Sequence, residues 1–245
     1  MFGLFRKKQP VPCGLCFSTD IHCHVIPGID DGSPDVITSV ELIERMQGWG
    51  IKRIIASPHV TQDSFENTPE TIVPAYTSLK RELEEKSSGL ELLHSAEYRI
   101  DEFFMAQLQS GSVVPMPDGY LLVENSFIQE PWNLDQLLFD LKVKGYKPIL
   151  AHPERYYYYH GNKRVRYEEI HATGTMFQIN LLSLAGYYGK DEKSVAEYLI
   201  EKGCVDFIGT DLHHHRHADA IDAYLVSKDC LRHFKNLTVM NDSIS

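Results

Sequence analysis

Short apolar runs recur along the chain, and the longer segments between them return an apolar residue every third or fourth position. Seven runs stand out: LCFSTDI, RIIAS, LELLHSA, GYLLVEN, YKPILA, MFQIN and VDFIGT. Brief, nearly continuous apolar stretches of this kind predict strands covered on both faces, and the segments between them predict helices. In PDVITSVELIERMQGWG, Val36, Val40, Ile43 and Trp49 fall close to one helical face, Pro34 suits the first turn after Ser33, and Gly50 can end the helix. Residues 69–86 read the same way, with Tyr76, Leu79 and Leu83 apolar among charges; further helices are predicted over 101–109, 133–145, 164–172, 191–203 and 217–226. This alternation predicts an α/β fold around parallel strands. Seven units favour a seven-stranded (β/α)7 TIM-like barrel, with an open doubly wound sheet as the alternative. No linker or shift of composition divides the units, so one domain is expected over 17–245, after a mobile N-terminal leader over 1–16.

Composition narrows the function classes. A 245-residue chain with 43% apolar and 24% charged residues is an ordinary globule with ample core. No apolar run reaches the roughly 20 residues that span a bilayer, so no stable membrane insertion is expected. The N-terminus is broken by proline and glycine and lacks a signal-peptide cleavage pattern. A net charge of -10 argues against nucleic acid as a partner, since binding its backbone rests on clustered Lys and Arg. Five irregularly spaced cysteines are no disulfide framework and point to the reducing cytoplasm; Cys13 and Cys16 form one C-x-x-C without a second, so no metal or redox role is expected of it.

The chemistry lies in where the runs end. The first ends in His22 and His24, the second in His59, the third in Glu97, the fourth in Glu124, the fifth in His152, the sixth in Asn180 and the seventh in Asp211 and His213. In parallel α/β folds the C-terminal strand ends converge on one face. Any one of these residues alone reads as a hydrogen-bonded structural group. Together, so many imidazoles and carboxylates on one face would repel or stay unsatisfied without cations. Imidazole mixed with carboxylate suits manganese, iron or zinc better than the all-oxygen preference of magnesium or calcium. Period-two alternation also places His22 and His24 on one face, with Cys23 on the other.

The set DIHCHVIPGIDDG, SPH, AEY, LVENS, AHPERY and TDLH resembles the polymerase and histidinol phosphatase (PHP) superfamily, and within it the bacterial manganese-dependent protein-tyrosine phosphatases of capsule and exopolysaccharide loci. The resemblance runs from about Phe17 to His217. It implies a distorted seven-stranded barrel and three divalent metal ions, manganese expected, with iron, zinc or magnesium as alternatives. His22, His24, Glu97 and Asp211 would surround one ion, Glu97 would bridge to a second held by Glu124 and His152, and Asp31, His59 and His213 would hold a third, leaving Asp30 a supporting role. It also implies a catalytic part for Arg155, Asp31 and His59, with Arg155 binding phosphate as well, its planar fork matching phosphate oxygens. Tyr156 and Arg216 are further expected substrate contacts, whereas His214, His215 and His217 are expected to be exposed.

The implied reaction is hydrolysis of phosphotyrosine on a protein, with the tail of a bacterial tyrosine kinase as the expected partner. None of the cysteines has Arg at the offset of a C-x5-R motif, so a cysteine-based phosphatase is excluded. The alternatives are a small-molecule phosphatase of the histidinol-phosphate type, an exonuclease disfavoured by the acidic balance, and a non-catalytic metal-binding scaffold. Nothing in the sequence indicates the oligomeric state.

Overall fold

In a computed structural model, residues 14–86 and 88–245 are described. Cys13 and most of the expected leader lie outside them. The strands are β1 (Thr19–Asp20), β2 (Arg53–Ala56), β3 (His59–Val60), β4 (Glu91–His94), β5 (Glu97–Arg99), β6 (Tyr120–Glu124), β7 (Lys147–Ala151), β8 (Met176–Asn180) and β9 (Phe207–Gly209). The helices are α1 (Val36–Gly48), α2 (Pro69–Glu85), α3 (Glu102–Ser110), α4 (Leu134–Val143), α5 (Val165–Ala172), α6 (Leu181–Ala185), α7 (Lys190–Lys202), α8 (His215–Leu225) and α9 (Lys228–Phe234). The seven expected helices are all present within a few residues of their predicted bounds, and α6 and α9 are additional.

The fold is mixed α/β, and every strand pairing is parallel. The described strands form a three-stranded sheet, β1-β2-β4, and a six-stranded sheet, β3-β5-β6-β7-β8-β9, rather than seven continuous strands. The second and third apolar runs each yield two segments, β2 with β3 and β4 with β5. At the first break stands Pro58, which has no N–H to donate to a ladder. Hydrogen bonding continues across the gap, from Ser95 N to Ala56 O (2.8 Å) and Glu97 N to Pro58 O (2.9 Å). The first and last strands meet through one isolated parallel bridge, Cys23 to Leu212, with bonds from Asp211 N to His22 O (2.8 Å) and His24 N to Leu212 O (2.9 Å).

Alternation along the strands divides the core. Ile55, Tyr120, Leu122, Ile149, Ala151 and Phe207 form one cluster with Ile21, Met116 and Ile244. Their neighbours Ile54, Leu121, Val123, Leu150 and Ile208 belong to a larger cluster shared with the helices, including Leu42, Met46, Leu79, Leu137, Val195 and Ile221. Two-sided burial explains why the runs read as continuously apolar. Among the described residues no helix is long and apolar enough to cross a membrane.

Candidate metal centre

The strand-end residues converge. The Nε2 atoms of His22 and His24 lie 3.3 Å apart. Glu97 Oε2 is 3.3 Å from the first and 3.5 Å from the second, and Asp211 Oδ1 is 3.5 and 3.4 Å from them. Four donors arranged tetrahedrally about 2.1 Å from one centre would be separated by about 3.4 Å, so this spacing suits a first-row divalent ion. Cys23 points away, buried in the larger apolar cluster.

Outer hydrogen bonds fix these rings in one tautomer. His22 Nδ1 donates to Gln178 Oε1 (2.7 Å) and His24 Nδ1 to Asp30 Oδ2 (2.8 Å), which turns both Nε2 lone pairs inward. His213 Nδ1 donates likewise to Asp211 O (2.9 Å). The chain continues from Gln178 Nε2 to Asn180 Oδ1 (2.9 Å) and from Asn180 Nδ2 to Asp211 Oδ2 (2.6 Å). Asp30 also accepts from His59 N (3.0 Å) and Gly32 N (3.0 Å), and so has the supporting role expected of it. A Cβ at Gly32 would stand 2.2 Å from His24 O, so the IDDG turn cannot close on any other residue.

The remaining donors adjoin this quartet. His152 Nε2 lies 2.8 Å from Glu97 Oε1 and 3.7 Å from Glu124 Oε2. Asp31 Oδ1 lies 3.6 Å from His59 Nε2 and 3.5 Å from His213 Nε2. The donors that come together overlap the expected sets without dividing as they do: His24 also clusters with Asp31, His59 and His213, His22 with Glu97 and His152, and His59 faces two ways, its Nδ1 lying 2.9 Å from Glu97 Oε2. Asp31, more than half exposed, is the open side of the cluster, whereas Glu97 and Glu124 are fully buried. His152 (φ 33°) and Asp211 (φ 50°) both adopt left-handed backbone that non-glycine residues avoid, as strained positions at functional sites do.

Electrostatics supply a second test of fit. Burial should lower the His22 and His59 pKa, but Glu97 and Asp211 around His22, and Glu97 and Glu124 around His59, raise them to about 9 and about 10. Burial opposes ionisation of Glu97, yet His22 and His59 hold its carboxyl well below the usual range. Glu124 is pushed up to about 7 by burial and by Glu97 beside it. Glu97 Oε2, Glu124 Oε2, His59 Nδ1 and His152 Nδ1 are buried without a hydrogen-bond partner. Such a cluster demands positive charge, and divalent ions would supply it while leaving the imidazoles neutral to ligate.

A cleft of about 420 Å³ opens over the donors, lined also by Arg99, Phe127, Arg155 and Tyr188. Arg155 Nη1 donates to Asp211 Oδ2 (3.0 Å), and its guanidinium carbon lies 4.2 Å from the Tyr188 ring centre and 4.9 Å from that of Phe127. Two of the expected substrate contacts are corrected. Tyr156 is completely buried, its hydroxyl donating to Ala151 O (2.9 Å) and accepting from Asn125 N (2.9 Å), so its ring has no face for a ligand. Arg216 is exposed in the first turn of α8 and does not line the cleft. His217, expected to be exposed, is buried and lines the cleft with the exposed His214; His215 is exposed. Sequence reasoning missed Arg99, Phe127 and Tyr188, whose loop and strand-edge positions carry no spacing signal, although Arg99 stands only two residues after Glu97 at the third strand end.

An imidazole and carboxylate cluster under a cleft at the strand ends of a parallel α/β fold is a donor set able to hold metal ions. Residues 18–225 match the family model described as "Capsular polysaccharide synthesis, CpsB/CapC", and the chain belongs to this family. It is 34% identical over 195 residues to the tyrosine-protein phosphatase YwqE of Bacillus subtilis, covering 79% of this chain and 76% of that protein. Against the tyrosine-protein phosphatase CpsB of Streptococcus pneumoniae it is 27% identical, with 79% and 82% covered. A crystal structure from work on YwqE and CpsB, described as unique metal-dependent tyrosine phosphatases, superposes with a TM-score of 0.72 at 29% identity, covering 90% of this chain and 96% of that one. Histidinol phosphate phosphatase from Lactococcus lactis shares the fold, with a TM-score of 0.52 at 14% identity and 86% and 93% covered.

Proposed function

We propose that this chain is a metal-dependent phosphatase that hydrolyses phosphotyrosine on proteins. The observation that carries the reading is the buried donor cluster beneath a cleft that also holds Arg155, in a chain whose relatives are tyrosine-protein phosphatases. Further proposals are three ions, manganese foremost: one with His22, His24, Glu97 and Asp211, one with Glu97, Glu124 and His152, and one with Asp31, His59 and His213. The domain is taken to begin at residue 17, and its strands to act as one distorted seven-stranded barrel, a reading supported by the Cys23 to Leu212 bridge. The proposed partner is a bacterial tyrosine kinase governing polysaccharide assembly, and the proposed compartment is the cytoplasm.

When bound, the ions supply Lewis acidity and an activated water for in-line attack on phosphorus. The chain's own residues do the rest. Arg155, held between two aromatic rings and anchored on Asp211, presents its remaining N–H groups to phosphoryl oxygens that gain charge as the ester breaks. Gln178, Asp30 and Asn180 hold donors in place, so little reorganisation accompanies reaction. Phenolate is a stable leaving group and needs little help from a proton donor.

The test is turnover of a phosphotyrosine peptide with manganese, before and after chelation, in the wild type and Arg155→Ala. Activity should vanish on chelation, return with manganese, and fall about 100-fold or more in the variant. A wild-type preference for histidinol phosphate over the peptide would overturn the substrate assignment.

A further inference from the structure

Arg99 follows two residues after Glu97 and, like Arg155, lines the cleft. Its Nε donates to Glu124 Oε1 at 2.8 Å, much as Arg155 Nη1 donates to Asp211 Oδ2 at 3.0 Å. Each arginine therefore commits one donor to one oxygen of a carboxylate in the cluster. Glu124 keeps its other oxygen, Oε2, turned toward His152 and without a hydrogen bond. The two guanidinium carbons lie 5.5 Å and 4.9 Å from the centre of the same ring, that of Phe127. Two cations sharing one aromatic ring, both partly open to one cleft, form a site whose mutual repulsion an anion between them would relieve.

We infer that Arg99 is the second phosphoryl-binding arginine of this site, the part expected from sequence of Arg216. The inference rests on the phosphatase reading for its substrate, and on the geometry of Arg99, Phe127 and Arg155 for the residue. One Arg99 N–H stays on Glu124, and the terminal nitrogens take a phosphoryl oxygen on the side opposite Arg155. A guanidinium suits this double duty because its five N–H groups lie in one plane, whereas an ammonium would have to choose. Phe127, itself partly exposed, presents its ring to both guanidinium groups.

The competing account is that Arg99 only holds Glu124. Binding of inorganic phosphate to manganese-loaded protein, measured by calorimetry, separates the two when metal content is measured on the same samples. Arg99→Gln keeps an N–H able to reach toward Glu124 but loses the charge; Arg99→Lys keeps the charge but loses the fork. Arg99→Gln should weaken phosphate binding by about ten-fold or more, as loss of a charge-assisted hydrogen bond does, with bound manganese unchanged, and Arg99→Lys should recover part of the loss. Arg216→Gln should bind phosphate as the wild type does. Unchanged phosphate affinity in Arg99→Gln, or a loss that tracks loss of manganese, would overturn the assignment. Wild-type turnover of phosphotyrosine peptide, assayed alongside, distinguishes the two failures: its absence would sink the function, whereas normal turnover with an inert Arg99→Gln would sink only this residue's role.

Discussion

At the residue scale, the two aspartates of IDDG divide their work. Asp30 has no exposed side-chain surface and bonds His24 and the His59 amide, while Asp31 stands half open at the cleft between His59 and His213. Removing Asp31 therefore takes one ligand from one grouping and leaves the buried quartet intact. Asp31→Ala should lose about one of the bound ions and keep the others, as read by elemental analysis of purified protein; loss of every ion would show that the groupings form a single unit. Apart from Asp31, which sits in a turn and is supplied by the resemblance alone, the histidines and carboxylates of the site are legible in the sequence because strand ends concentrate them. Tyr156 misleads for a physical reason: four consecutive tyrosines resemble a binding surface, but their hydroxyls secure a neighbouring loop. Tyr156 and Tyr158 hold Asn125 and Ser126, placing Phe127 at the cleft, and Tyr157 donates instead to Glu192.

At the element scale, helix positions follow from periodicity, but strand continuity does not. LELLHSAEYRI looks like one strand, yet only its pairing with neighbours divides it into β4 and β5. The short α6 escapes because its five residues, LLSLA, are too few to show a period, and the buried Glu154 anchors its start by accepting from Asn180 N (2.8 Å) and Ser183 Oγ (2.6 Å). The contact between α5 and the residue preceding β9 offers a titratable probe remote from the candidate metal centre. His171, in the last turn of α5, lies 3.0 Å from Asp206 Oδ2, which also accepts from Phe177 N at 2.8 Å. The hydrogen bond to Asp206 raises the His171 pKa above its ordinary value of 6.5, outweighing partial burial. A histidine with a raised folded pKa binds its proton more tightly when folded, so its contribution is fully present below the unfolded value and fades as pH rises through the folded one. His171→Ala should accordingly lower the urea midpoint more at about pH 6 than at about pH 9. An equal loss at both values would mean that packing, not charge, is what His171 supplies.

For the whole molecule, the problem is joining the first strand to the last, since the site draws His22 and His24 from one and Asp211 and His213 from the other. The isolated Cys23 to Leu212 bridge is a thin seam for that duty. Asp20, fully buried, reinforces it by accepting from Thr210 Oγ1 (2.5 Å) and Thr210 N (3.2 Å). Below the seam the C-terminal segment acts as a third party: Asn241 Nδ2 donates to Thr19 O (2.9 Å) and Ile208 O (2.7 Å), and its Oδ1 accepts from Ile208 N (3.0 Å). Asp242 accepts from Ser18 N (3.0 Å), and Ile244, fully buried, fills the end of the cluster containing Ile21 and Phe207. None of this is legible in VMNDSIS, because one asparagine bonding two strands leaves no periodic trace. Asn241→Ala removes three hydrogen bonds from buried backbone, which should cost about 2–4 kcal/mol in urea unfolding. Because the same seam sets the distance between His22 and Asp211, the variant should also bind manganese more weakly at temperatures where it is still folded. A variant as stable as the wild type would place the closure in the Asp20 contacts alone, and a destabilised variant with unaltered manganese affinity would show that the donor quartet keeps its shape independently of the seam beneath it.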